Sequence, residues 1–426
     1  MIDPFIILIG VAFVLLVVGA PMWCVIGLSA TSYIVIEGFP LNLIVQRIFN
    51  NMDSFLLLAV PMFMLAGEVM NVSGLTARLL DLANILLQKV KAGLAMANLV
   101  TNMLMAGISG SALADASALT ALMTPKMKQE GYQPAFVAAI TAAGSIVGPI
   151  IPPSITFILF SVLSDISVID LFMAGILPGL LIIACQMVTV QWLAKKGRIP
   201  GYKGAGHQRK SRNILWRAIP VLILPVVIVG GIRSGVFTPI EGAAVALGYS
   251  VLLAGVLRQL KLGQLLDVSW HVARGMGEIL LMIGAAGLLA WVLVAEQIPA
   301  AVTELMLGVS TSGAVLLVVI NLLLLIIGMV IDNFAAMVIL VPILMPVVQE
   351  AGIDPIHFGV IMNVNLMIGA ITPPVGLCLF VTSRVAGVPF EHSIKEVVPF
   401  IVSSLCALGI ITYVPSISLF IPNLFK

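Results

Sequence analysis

Two carboxylates stand deep inside apolar segments of this chain, Asp115 and Asp332. An ionised side chain in such a place costs several kcal/mol unless it is paired or hydrated, so each marks a point where ions, protons or polar solutes are handled. Asp115 lies four residues past Ser111 in the run Ser109-Gly110-Ser111, and Asp332 precedes Asn333. Asp115 either braces the backbone around that run or relays protons; Asp332 either binds a cation or locks its own turn. Two further runs carry chemistry through their backbone. The first joins Gly144, Ser145 and Gly148 to Pro149, Pro152, Pro153 and Ser154, and the second is Gly369-Ala-Ile-Thr372-Pro373-Pro374. Proline removes an N–H and clashes with the preceding turn, which frees carbonyl oxygens for a hard cation such as Na⁺. The half-helix that restarts after each break presents free N–H groups to an anion. The bland alternative is that Gly and Pro only kink ordinary transmembrane helices, where both are common.

Other chemistries are not spelled out. No P-loop or H-E-x-x-H string occurs, and His207, His271, His357 and His392 are scattered. Cys24, Cys185, Cys378 and Cys406 lie far apart in apolar runs and read as small core residues. Glu68, Glu241, Glu278 and Glu296 fall near predicted span ends, and the five tryptophans read as interface or packing anchors. With neither a nucleophile–base pair nor a metal cluster, an enzyme is not expected.

The elements that position these residues follow from composition. The chain has 426 residues, 61% hydrophobic and 9% charged, with mean hydropathy +1.18. Soluble domains carry about 25% charge, so lipid must solvate this one. A net charge of +2 is too balanced for nucleic acid. Apolar runs near 4–20, 23–37, 53–72, 171–194, 214–232, 238–257, 276–296 and 399–422 approach the ~20 residues needed to span a bilayer. The first lacks a basic n-region and is expected to be retained.

The basic stretch 195–212 reads as a cytoplasmic loop that divides an N-terminal half, 1–194, from a C-terminal half, 213–426. At a fixed offset of 221, Pro125, Gly131, Pro134, Gly148, Pro152 and Pro153 fall on Pro346, Gly352, Pro355, Gly369, Pro373 and Pro374. Two repeats are therefore expected, each a re-entrant hairpin (93–123 and 313–346) followed by a broken helix (134–165 and 355–386). The hairpin arms are expected to hold about 10–12 residues, roughly half a bilayer; for the second, a full span over 314–331 is the alternative. Lys126 and Lys128 put the turn after the first hairpin inside, and Glu350 and Asp354 put its counterpart outside. That pattern predicts an all-α polytopic membrane protein of inverted-topology repeats, about ten spans with two discontinuous, and both termini external. Stretches 75–91, 264–274 and 389–397 read as amphipathic connectors or as solvated helix ends.

The runs Gly107-Ile-Ser-Gly-Ser-Ala-Leu-Ala-Asp115, Gly148-Pro-Ile-Ile-Pro-Pro-Ser154, Met329-Val-Ile-Asp-Asn333, Ile371-Thr-Pro-Pro-Val-Gly376 and Asp53-Ser-Phe-Leu-Leu-Leu-Ala-Val-Pro61 together resemble the large membrane subunit of TRAP (tripartite ATP-independent periplasmic) transporters. The resemblance covers nearly the whole chain. It implies the ion-transporter-superfamily fold, with a scaffold and a mobile transport domain, and Na⁺-driven uptake of an organic acid by an elevator motion across the bacterial inner membrane. It further implies a soluble periplasmic substrate-binding protein and a small four-helix membrane subunit as partners. By motif position, one Na⁺ site would use Ser109, Gly110, Ser111, Gly144, Ser145 and Gly148. A second would use Asp332, Asn333, Thr372 and Gly376, with Asp115 in a structural or coupling role. The substrate would touch Ser109, Ser111, Pro152, Ser154, Asn333 and Pro373. Sialic acid is the leading expectation and a C4-dicarboxylate the second. The nearest alternative is a stand-alone Na⁺- or H⁺-coupled dicarboxylate transporter or exchanger of the same superfamily.

Overall fold

The protein is seen in a computed structural model that describes residues 4–200, 211–310 and 312–424, with the backbone alone over 211–215. Most of the basic loop, including His207, Lys203, Arg209 and Lys210, lies outside the described residues. The described residues form twenty α-helices and one 3₁₀ turn, with no strand among them. The all-α expectation holds.

The first group of helices is α1 (Pro4–Val17), α2 (Met22–Ile36), α3 (Asn42–Met52), α4 (Ala59–Val72) and α5 (Leu75–Leu87). It is followed by α6 (Gly93–Ser109), α7 (Ala112–Gln129), α8 (Pro134–Ser145), α9 (Ile155–Ser164) and α10 (Val168–Lys195). The second half holds α11 (Ser211–Arg233), α12 (Pro239–Val256), α13 (Leu262–Ala295), α14 (Ile298–Val309) and α15 (Gly313–Gly328). It ends with α16 (Asn333–Glu350), α17 (Pro355–Gly369), α18 (Leu377–Ala386), α19 (Phe390–Tyr413) and α20 (Pro415–Leu424). Shifting α7 by 221 residues gives the bounds of α16, and α8 starts 221 residues before α17.

Several boundaries differ from the sequence reading. The paired helices run over 93–129 and 313–350 rather than 93–123 and 313–346, and their arms hold 17, 18, 16 and 18 residues instead of ten to twelve. The helices continue through Pro125, Pro342 and Pro346, because neighbouring protein can satisfy the backbone groups that a proline frees. Stretch 264–274 is no separate connector but the start of the 34-residue α13, about 51 Å long. Likewise 389–397 opens α19, and the apolar run 399–422 is divided between α19 and α20. Among the described residues, seven stretches are long and apolar enough to cross a membrane each: 55–72, α10, 216–233, α12, α13, α16 and α19. Helices α8, α9, α17 and α18 hold 10 to 15 residues and are too short to cross singly.

One side of the molecule gathers α2, α3 and α4 around α13, with α12 packed on α4. The other interlocks the two repeats, with α18 packed on α7 and α8 and α9 packed on α16. Aromatic pairs cross between the two halves of the chain: Phe136 and Phe400 at 6.0 Å, Phe160 and Phe358 at 6.3 Å between ring centroids, all fully buried. Such pairs add about 0.5–1.5 kcal/mol beyond their area.

Candidate functional site

Between α8 and α9 the helix stops over residues 146–154, where Pro149, Pro152 and Pro153 withhold N–H groups; the Pro152–Pro153 peptide is cis. The Pro149 carbonyl is the anchor of this break. It accepts hydrogen bonds from the Ser154 hydroxyl, from Thr156 Oγ1 at 3.0 Å and from Asn363 Nδ2 at 2.6 Å. Thr156 Oγ1 also lies 3.0 Å from Asn363 Oδ1, its single proton serving one or the other acceptor, so the first break is tied to the middle of α17. Ser154 is fully buried and caps α9 by accepting from the Phe157 N–H at 3.1 Å. The second break, 370–376, contains the cis Pro373–Pro374 peptide and closes where the Cys378 N–H donates to the Ala370 carbonyl at 2.9 Å.

Each break faces the turn of a helix pair. Ser109 ends α6, Gly110 takes φ +60°, and Ser111 caps α7, its hydroxyl accepting from the Ala114 N–H at 3.4 Å. A Cβ on Gly110 would meet the Pro153 carbonyl at 2.7 Å, so both its backbone angle and its close approach require glycine. At the other turn, the Asp332 carboxylate caps α16 by accepting from the Phe334 N–H at 3.0 Å. Here α15 meets the end of α17 backbone to backbone, since a Cβ on Gly369 would sit 2.4 Å from the Gly328 carbonyl carbon.

Between the two turns lies a cavity of ≈ 50 Å³ whose wall includes Gly110, Ser111, Pro149, Asp332, Asn333 and Cys378. Of the expected substrate contacts, Ser111 and Asn333 reach this wall. Pro152, Ser154 and Pro373 do not; the Ser154 hydroxyl is engaged in capping α9 and holding Pro149. Ser109 lies instead on a smaller cavity of ≈ 30 Å³ shared with Ser111, Gly67 and Glu68 of α4.

The residues expected to hold a first cation gather on the inner side of the Ser109–Ser111 turn. Asp115 is fully buried in the first turn of α7, and neither carboxylate oxygen has a hydrogen bond of ordinary geometry. A Cβ on Gly148 would lie 3.1 Å from Asp115 Oδ2, 3.2 Å from the Ser145 carbonyl oxygen and 3.4 Å from the Ala112 nitrogen. A Cβ on Gly144 would lie 2.5 Å from Asn102 Nδ2, and Asn102 Oδ1 is a further buried acceptor without a partner. Asn102 stands on a polar ladder, its amide donating to Asn98 Oδ1 at 3.0 Å and Asn98 Nδ2 to Thr141 Oγ1 at 2.7 Å. The Asp115 carboxylate and Asn102 Oδ1 have unmet demand, while the Ser145 carbonyl already accepts from the Gly148 N–H at 3.0 Å and keeps one lone pair; oxygens are what a hard cation takes. Around the second turn the fit is weaker, because the Thr372 hydroxyl donates to the Ile368 carbonyl at 2.7 Å and Asp332 already receives an N–H. Gly376 lies in the same tight turn as Thr372, a Cβ on it being 3.2 Å from the Thr372 carbonyl oxygen.

Asn98, Asn102, Thr141, Thr156 and Asn363 were not singled out by sequence, and Cys378 was read there only as a small core residue. A signal existed for the amides: a primary amide inside an apolar helix is costly without a partner, and Asn98 and Asn102 are one turn apart. Nothing in the sequence pairs Asn363 with Pro149.

Comparison with known proteins gives the family and the fold. Residues 9–417 match the family model described as tripartite ATP-independent periplasmic transporter, DctM component. The chain is 40% identical over 424 residues to the isethionate TRAP transporter permease protein DctMQ of Oleidesulfovibrio alaskensis, covering 98% of this chain and 66% of that longer relative. It is 36% identical over 413 residues to the sialic acid TRAP transporter large permease protein SiaM of Vibrio cholerae, covering 96% of each. Among solved structures, the YdaH transporter of Alcanivorax borkumensis shares the fold, with TM-score 0.64 and 16% identity over 90% of this chain and 89% of that one.

Proposed function

The chain belongs to the DctM-component family of tripartite ATP-independent periplasmic transporters, and from that premise we propose that it imports a small organic acid across the bacterial inner membrane, coupled to Na⁺. It is a transporter permease and not an enzyme. In this reading a soluble periplasmic binding protein delivers the acid and a small membrane subunit accompanies the chain. The helix pairs 93–129 and 313–350 enter from opposite faces as re-entrant hairpins of inverted repeats, and the interlocked repeats move as one body against the scaffold around α13. Both termini are then external.

The observation that carries the reading is the cavity bounded by the two turns and the first break, with orphaned oxygen donors beside it. A substrate there would be sealed by both tips. Asp115, Asn102 and the carbonyls near Ser145 and Gly148 would hold one Na⁺ under the first tip, so that the ion orders the turn that covers the substrate. Carbonyls of the Thr372–Gly376 turn with Asp332 would form a second site.

The test is uptake into proteoliposomes holding this chain and its small partner, with and without an inward Na⁺ gradient and the binding protein. Labelled sialic acid comes first, then a dicarboxylate panel. Accumulation that needs both gradient and binding protein is expected. Accumulation with a gradient alone would instead establish a stand-alone transporter, and gradient-independent uptake would remove Na⁺ coupling.

A further inference from the structure

Three membrane-spanning stretches meet at one cationic junction. Arg78 stands on α5, shortly past the stretch 55–72. Its guanidinium donates to the Arg217 carbonyl, at the start of the stretch 216–233, at 3.4 Å, and to Gln259 Oε1, just beyond α12, at 3.0 Å. These contacts bring the ends of the three stretches to one face of the molecule. Both acceptors are neutral, so they hold the guanidinium without cancelling its charge. Burial, and after it the Arg217 guanidinium, push the Arg78 pKa below its usual value, and both act against the charge. Arg258 and Lys261 flank Gln259 in the same short turn, and they and Arg217 are exposed. Apolar surface lies alongside. Trp216 is exposed next to Arg217, and Leu262, Leu266 and Trp270 are exposed at four-residue spacing, on one face of α13. At about 51 Å, α13 exceeds the ~30 Å hydrocarbon core, so its first turns reach the membrane surface. A hydrophilic anion leaves this apolar flank in water, and a lipid without net charge leaves the cations unmatched. An anionic amphiphile answers both.

We infer that this junction binds an anionic phospholipid of the adjoining leaflet, its phosphodiester bridging the Arg78 and Arg217 guanidiniums and an acyl chain lying along Leu262 and Leu266. The planar fork of a guanidinium matches two phosphate oxygens, which a lysine ammonium does not. Arg78 is already oriented by its two neutral acceptors, so little side-chain freedom is lost when the phosphate arrives. Bound there, the lipid joins α5 to α11 and to the turn between α12 and α13. Helix α5 is the connector that leads into the helix pair 93–129, so the lipid clamps that connector where it leaves the stretch 55–72. The assignment depends neither on which solute is carried nor on Na⁺.

The test is thermal unfolding of the full chain in phosphatidylcholine nanodiscs, with phosphatidylglycerol replacing a rising fraction of the lipid at constant salt. The melting temperature is expected to rise and saturate, and excess inorganic phosphate in pure phosphatidylcholine discs is expected to leave it unchanged. Arg217→Gln alters an exposed side chain and keeps the carbonyl that holds Arg78, so the variant should fold as the parent does. Its phosphatidylglycerol fraction at half the rise should increase at least ~10-fold, the loss of a charge-assisted hydrogen-bonded pair. Arg384→Gln removes a basic residue at the end of α18, a helix that packs on α7, α8 and α19 instead. It should shift that fraction by no more than the ~5-fold that diffuse attraction to a charged surface carries per residue. The inference is overturned if phosphatidylglycerol does not stabilise the parent, if inorganic phosphate alone reproduces the rise, or if Arg384→Gln weakens the response as much as Arg217→Gln. Uptake is not the readout, so failure of the importer reading and failure of this one are separate results.

Discussion

Asp115 shows how one residue connects burial to function. A fully buried carboxylate without a hydrogen bond of ordinary geometry is unfavourable when ionised, so it is stabilised by taking up a proton or by a cation from outside the chain. A cation held between Asp115, Asn102 and the Ser145 carbonyl would supply the second. Asp115→Asn should therefore leave the melting temperature in Na⁺-free buffer unchanged or higher, while abolishing the rise that Na⁺ produces in the parent protein. For the parent at tenfold excess of Na⁺ over its dissociation constant, the stabilisation behind that rise is about 1.4 kcal/mol. The measurement is unfolding in NaCl against choline chloride. A variant that still gains stability from Na⁺ would exclude Asp115 as a ligand. Asp332 differs, since its carboxylate has a structural task in capping α16 whatever else it binds. Its two sequence readings, cation binding and turn locking, are thus not exclusive, and the geometry displays the second directly.

At the scale of elements, the break between α8 and α9 is held open by the Pro149 carbonyl and its three donors. One donor, Asn363, comes from the other repeat, so the break in the first repeat is positioned by an intact turn of the second. Asn363→Ala should lower stability by about 1–3 kcal/mol, because Thr156 also loses its amide partner within a buried site. Thermal unfolding of the purified chain checks this, and an unchanged melting temperature would mean that Ser154 and Thr156 alone fix the break. The sequence located both breaks to within a residue or two, since Pro-Pro preceded by Gly has few other solutions in an apolar run. It misjudged helices whose prolines do not end them: α7 and α16 pass through Pro125, Pro342 and Pro346. Local propensity favours a stop there, and packing overrides it. It also split α13 at the change from mixed to apolar composition, a change in what the helix faces rather than in its backbone.

For the whole molecule, the opposed charges at the ends of α7 (Lys126 and Lys128) and α16 (Glu350, with Asp354 just beyond) make a topological prediction. In a chain otherwise free of cysteine, Lys128→Cys should react with a membrane-impermeant maleimide only after the membrane is permeabilised, and Glu350→Cys should react from the periplasmic side in intact cells. Both side chains are exposed, so access is set by sidedness rather than by burial. Labelling of both from the same side would rule out inverted repeats. What the sequence by itself determined is what depends on solvent and on neighbours along the chain: lipid solvation from 9% charge, the 221-residue periodicity, the breaks, the turns at Ser109–Ser111 and Asp332–Asn333, and the family. The tertiary structure alone decided which of these meet. It brought Asn363 to Pro149, Asn102 to Gly144 and Asp115 to Gly148, placed Ser111 and Asn333 on one cavity, and withheld Ser154 and Pro373 from it. The physical reason is that hydropathy and proline act within a few residues, whereas a cavity wall is made where two repeats more than two hundred residues apart pack on each other, and side-chain direction there follows from that packing.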